Sequence, residues 1–147
     1  MNVTNDTLRH IADVKLLLNR IAQEIYMRSL HHDESKLRSP EKEMFEIWRP
    51  KLDAMNIESE ENKAALVEMG SALKHHYSEN RHHPEHFENG LDGMNLIDLI
   101  EMVCDWKAAA GRKGEPVNMA WASKRFGISE NEHLYHIIAQ TLGTFNQ

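Results

Sequence analysis

A chain of 147 residues with a formal net charge of -6 at pH 7 is long enough to bury one core and points to a single domain. Its acidic balance argues against an extended grip on nucleic acid or an anionic membrane and leaves small substrates open. No apolar stretch approaches the roughly 18 to 20 residues of a membrane span. The polar start 1–6 lacks the apolar core of a signal peptide, and the single cysteine, Cys104, can form no internal disulfide, so a reducing, cytoplasmic location and a buried thiol are expected.

Leu8, Ile11, Val14, Leu17, Leu18, Ile21 and Ile25 recur at steps of three and four, which predicts an amphipathic helix over about 6–27. His10 falls on the same face as Val14, Leu17 and Ile21 and is expected to point inward. A short connection holding His31, His32, Asp33, Glu34, Ser35 and Lys36 follows. Ser39 reads as an N-cap with Pro40 at the first helical position, opening a helix that carries Met44, Phe45 and Trp48 and should bend or stop near Pro50.

Ser59 caps the next predicted helix, whose inward stripe is Ala65, Met69, Ala72 and His76, while His75 lies about 100 degrees away, facing solvent or backing the ligands. Helical periodicity then fades into Arg81, His82, His83, Pro84, Glu85 and His86, the composition of a functional loop. The helix predicted over about 95–110 is apolar nearly all round and stops at Gly111; Asp98, Glu101 and Asp105 share its narrow polar stripe. Two shorter helices follow, one over about 118–126 and one opened by the capping box of Ser129 with Glu132. No strand-like alternation and no internal repeat is present, so the fold class is all-α.

Ten histidines occur, and seven of them lie between His31 and His86. An ionised carboxylate costs several kcal/mol to bury without a partner, so Asp105 in an apolar helix calls for a cation. Inward positions offer few lysines or arginines. They offer His10 and His76 instead, with the pair His32-Asp33 and the imidazoles of the loop. Imidazole nitrogen combined with carboxylate oxygen suits Mn, Fe, Co, Ni or Zn. Any one of these histidines alone reads as well as a packed or carbonyl-bonded side chain; together they point to a divalent-metal site. Asp98 and Glu101 then read as acceptors for ligating imidazoles, and Trp48, Trp106 and Trp121 as packing.

In that order, His10, His32-Asp33 and Asp105 resemble the HD superfamily of metal-dependent phosphohydrolases. The resemblance implies one HD-domain-like helical domain, with the motifs over about 6–111 and a C-terminal helical extension over about 116–147. It implies metal ligands at His10, His32, Asp33 and Asp105, and a second ion held by His76 with His82, His83 or His86. Lys36, three residues after Asp33, resembles the lysine of HD-x-x-K variants that contacts substrate phosphate. Segments 31–36, 75–86 and 101–108 are also similar to an uncharacterised family of short phage and bacterial proteins.

The activity so implied is hydrolysis of a nucleotide or other small phosphate ester with one or two divalent ions. Lys36 and Arg81 would offset phosphate charge, and Glu34 or Glu85 would handle the proton. Two readings from other classes compete. A metal-stabilised binding or inhibitory protein, possibly phage-encoded, needs the same ligands but no open coordination position. An ordinary helical interaction domain binds no metal.

Overall fold

Among the described residues, the periodicities of three and four become helix. The computed structural model describes residues 3–56 and 58–145. Its helices are α1 (Val3–His31), α2 (Glu41–Ala54), α3 (Glu60–Glu68), α4 (Gly70–Glu79), α5 (Leu96–Arg112), α6 (Met119–Phe126) and α7 (His133–Thr144). Three single 3-10 turns, Glu34–Leu37, Pro84–His86 and Gly90–Gly93, punctuate the connections. No strand occurs among the described residues, so the all-α expectation holds. No described helix is long and apolar enough to cross a membrane.

Backbone packing divides the chain into two units, one ending at His32 and the other beginning at Asp33. The first consists of α1, which extends beyond the predicted 6–27 at both ends. None of its residues is buried, and its stripe of Leu8, Ile11, Val14, Leu18 and Ile21 is exposed. His10 is exposed too, which corrects the expectation that it points inward: a unit made of one helix has no second element of its own to cover its apolar face.

The second unit has its core where Met102 and Val103 of α5 meet Ile128 and the α7 residues Ile138 and Leu142. Burying each such side chain contributes roughly 1.5–3 kcal/mol. Trp106 packs against this cluster and stacks on Phe126, with ring centroids 5.5 Å apart and planes 8° from parallel. Cys104 is exposed, contrary to expectation, because it lies about 200 degrees around α5 from Met102, on the face away from the core.

Three local details place the site. The Ser59 hydroxyl accepts the Asn62 N–H at 3.1 Å, as a cap should, and launches the stripe Ala65, Met69, Ala72 and His76, every member at most 2% exposed. That stripe runs across a junction at Met69, which ends α3 and precedes α4. On α5 the Asn95 side chain accepts the Ile97 and Asp98 N–H groups while Asp98 accepts the Asn95 N–H. This reciprocal cap fixes where the helix begins.

Further helix boundaries differ from those predicted: α5 runs through Gly111 to Arg112, and α7 opens at His133 with Glu132, not Ser129, at its N-cap. Pro40, not Ser39, stands at the N-cap of α2, and that helix runs through Pro50 to a stop at Met55. A proline forfeits one N–H bond, but its fixed φ remains helical. In the loop, Gly93 lies against Phe87: a Cβ built there would sit 2.6 Å from Phe87 Cβ.

Candidate metal centre

Asp33 opens the second unit in the left-handed region, at φ 58° and ψ 14°. This conformation costs most L-residues about 1–2 kcal/mol and is least unfavourable for Asp and Asn. It turns the carboxylate so that its two oxygens serve different partners. Oδ2 accepts from Lys36 Nζ at 2.5 Å. Oδ1 lies 3.4 Å from His76 Nε2 and 3.5 Å from His82 Nε2.

His76 reaches this point from the last turns of α4, and His83 meets it there, Nε2 to Nε2, at 2.8 Å. Pro84 keeps the residue before it out of the helical region; His83 is extended at φ -101° and ψ 128°. The His82 and His83 rings consequently lie side by side, with centroids 4.1 Å apart. Asp33, His76, His82 and His83 each offer one ligand atom, all within 4.8 Å of one another, and Asp33, His82 and Asp105 satisfy the same limit.

Donors bound to one ion at about 2.1 Å lie about 3.0 Å apart at a right angle and about 3.4 Å apart at the tetrahedral angle. The Asp33 separations of 3.4 and 3.5 Å lie close to the tetrahedral spacing and the 2.8 Å between the two imidazoles just under the right-angle one, so the His/Asp cluster could hold a metal ion. The protonation states suit it as well. Burial, reinforced by His82 and His76 and opposed by Asp105 and Asp33, pushes His83 down to about 3. Burial and then Lys36 lower His76, against the pull of Asp33 and Glu41. Neutral imidazole is the ligating form.

Four of the remaining predicted site residues, His86, Arg81, Glu85 and Glu34, are held by other partners. His86 turns away, and its Nδ1 bonds to the Tyr77 carbonyl at 2.9 Å. Arg81 places its guanidinium on Asp98 and over the Phe87 ring. Glu85 pairs with Arg125 at 2.5 Å, and Arg125 lies over Phe126 and Trp121, tying α6 to the histidine loop. Glu34, on the turn after Asp33, lies 3.5 Å from Arg38. His10 belongs to the first unit, and His32 is that unit's last residue, peptide-bonded to Asp33. Of the two carboxylates expected behind imidazoles, Glu101 stands 3.3 Å from His82 Nδ1, whereas Asp98 is taken by Arg81.

One residue at the centre was missed by sequence reasoning. Glu41 is fully buried, and its oxygens lie 2.7 Å from His75 Nδ1 and 2.9 Å from His76 Nδ1. An acid in the first turn of a helix is the ordinary signal of a favourable dipole, so nothing in the sequence marks this one as interior.

The chain matches the model of a family described as "Family of unknown function (DUF5662)" over residues 1–144 and belongs to that family. No curated protein and no solved structure matches it.

Proposed function

We propose, for this member of a family whose function is unknown, that the cluster binds one or two divalent ions and hydrolyses a nucleotide or other small phosphate ester. The observation that carries the reading is the convergence of one ligand atom each from Asp33, His76, His82 and His83 within 4.8 Å. Asp105 reaches the same limit with Asp33 and His82. The mixed nitrogen and oxygen set suits Mn, Fe, Co, Ni or Zn.

A bound ion would polarise a phosphoryl oxygen and lower the pKa of a water. Lys36 brings positive charge beside Asp33, with its ammonium 5.0 Å from the centre of the Phe45 ring. Arg81 is committed to the buried Asp98 and Glu85 to Arg125 at 2.5 Å, whereas the contact of Glu34 with Arg38 is a longer, exposed one at 3.5 Å. On this reading phosphate charge falls to Lys36 beside Asp33 and proton transfer to Glu34. Burial of His76 and His82 keeps water from competing for the donor atoms.

Elemental analysis of untagged protein, followed by a phosphatase screen over nucleotides with added Mn, Co or Ni, tests the reading. Protein that carries and takes up no metal would end it. Metal without turnover would favour a second reading, a metal-stabilised binding protein. That reading has its own support: His76 and His82 side chains are 2% and 1% exposed and the second Asp33 oxygen is held by Lys36, as in a closed structural site.

A further inference from the structure

We infer that Glu41 is a positioning residue for this centre, holding His76 in the one tautomer whose Nε2 is free to ligate. The inference rests on the metal-binding part of the proposed function. A carboxylate can only accept hydrogen bonds, and a neutral imidazole carries one N–H. Glu41 Oε2 is 2.9 Å from His76 Nδ1 and takes the Ser35 hydroxyl at 3.0 Å, while Oε1 is 2.7 Å from His75 Nδ1. The hydrogen of His76 therefore resides on Nδ1.

The bare lone pair is then on Nε2, the atom that lies 3.4 Å from Asp33 Oδ1 and 2.8 Å from His83 Nε2. Asn80 Nδ2, 3.0 Å from the same Nδ1, does not compete for the role. Its two hydrogens are directed at the His76 carbonyl and Ser35 Oγ, each at 2.8 Å. In the metal-free chain the short His76–His83 contact is closed by a hydrogen on His83 Nε2, in the place an ion would take. His75 grips the other carboxylate oxygen from outside, with its side chain 40% exposed, so Glu41 is fixed from two sides.

Glu41→Gln keeps the size but replaces one accepting oxygen by a donating NH2, so it can no longer accept from both imidazoles. In the full chain, this variant should bind Zn2+ or Co2+ about 10–100-fold more weakly in competition with a chromogenic chelator, the usual cost of losing a carboxylate behind a ligating histidine. Its Co2+ absorption spectrum should change, and His75→Ala, which removes only the outer grip on Glu41, should weaken binding by less than Glu41→Gln does. Long-range 1H–15N spectra of metal-free wild type should place the His76 hydrogen on Nδ1.

A His76 hydrogen on Nε2 overturns the inference even if Glu41→Gln fails to fold. A wild-type chain that binds metal and a folded Glu41→Gln that binds it equally well overturn the role of Glu41 alone. A wild-type chain that binds no metal overturns the metal centre itself, and this role with it.

Discussion

Arg81 meets Asp98 fork to fork, Nε 3.1 Å from Oδ1 and Nη2 3.0 Å from Oδ2. The carboxylate is fully buried, whereas the arginine side chain is 46% exposed. Because Asp98 also caps α5, the pair ties the residue preceding His82 to the first turn of that helix. Arg81→Met should lower stability by about 1–3 kcal/mol, below the 3–5 of a fully buried pair because water reaches the arginine. Thermal denaturation checks this, and Arg81→Lys should recover only part of the loss, since an ammonium cannot reproduce the fork. A melting temperature unmoved by Arg81→Met would mean that solvent serves Asp98 as well.

Lys36→Met should leave metal content and fold in place while reducing turnover or phosphate affinity. The lysine pairs with Asp33 at the surface edge of the cluster, its side chain 28% exposed, and an ion on Oδ1 would compensate the carboxylate without it. Steady-state kinetics alongside a melting curve separate the roles. A large stability loss with normal turnover would make Lys36 a structural ion-pair partner.

Alanine substitutions at the histidines should divide cleanly. His76→Ala, His82→Ala and His83→Ala each remove a donor from the cluster and should reduce metal stoichiometry. His86→Ala should keep it and lose about 1 kcal/mol of stability, the contribution of one bond to the Tyr77 carbonyl. Asp105→Ala should lose the stabilisation of RT ln(1 + [L]/Kd) that an ion gives the native state. Inductively coupled plasma measurements on the five variants decide it, and full metal in Asp105→Ala removes that residue from the site.

Metal-free protein should lose stability as pH falls from 7.5 toward 5. His83 is held at about 3 and His76 below its ordinary value of 6.5, so each binds fewer protons folded than unfolded. Stability then rises with pH across this window. It is complete above 6.5, erodes below it, and for His83 the erosion ends near 3. The urea midpoint in the presence of chelator should follow that course, with a shallower slope in His83→Ala. A midpoint that rises on acidification would show these imidazoles charged in the native state.

Helix positions were legible because they depend on spacing. The stripe ending at His76, the Ser59 cap and the start of α5 all follow from residue types within one or two turns, and so did the nomination of Asp33, His76, His82, His83 and Asp105. Partners set by the packing of distant segments were not legible. Glu41 approaches His75 and His76 across more than thirty residues of chain, and Arg81 is drawn to Asp98 rather than to a substrate by a cap seventeen residues on. The Arg125–Glu85 link gives the C-terminal helices a part at the loop, although no motif there announced one. Periodicity identified the apolar face of α1, but whether a face is covered depends on neighbours that periodicity does not specify.

The contact between Gly93 and Phe87 sets a limit on how this loop can vary. A methyl group at position 93 would sit 2.6 Å from Phe87 Cβ and 2.9 Å from Cγ, so that something must shift, and over the same ring lies the Arg81 guanidinium, 4.8 Å from its centre. A shift of Phe87 forced at position 93 would thus move the ring over which the arginine beside His82 lies. In a library randomised across the loop, alanine at position 93 should be depleted as severely as changes to the imidazoles, although residue 93 offers no chemistry of its own.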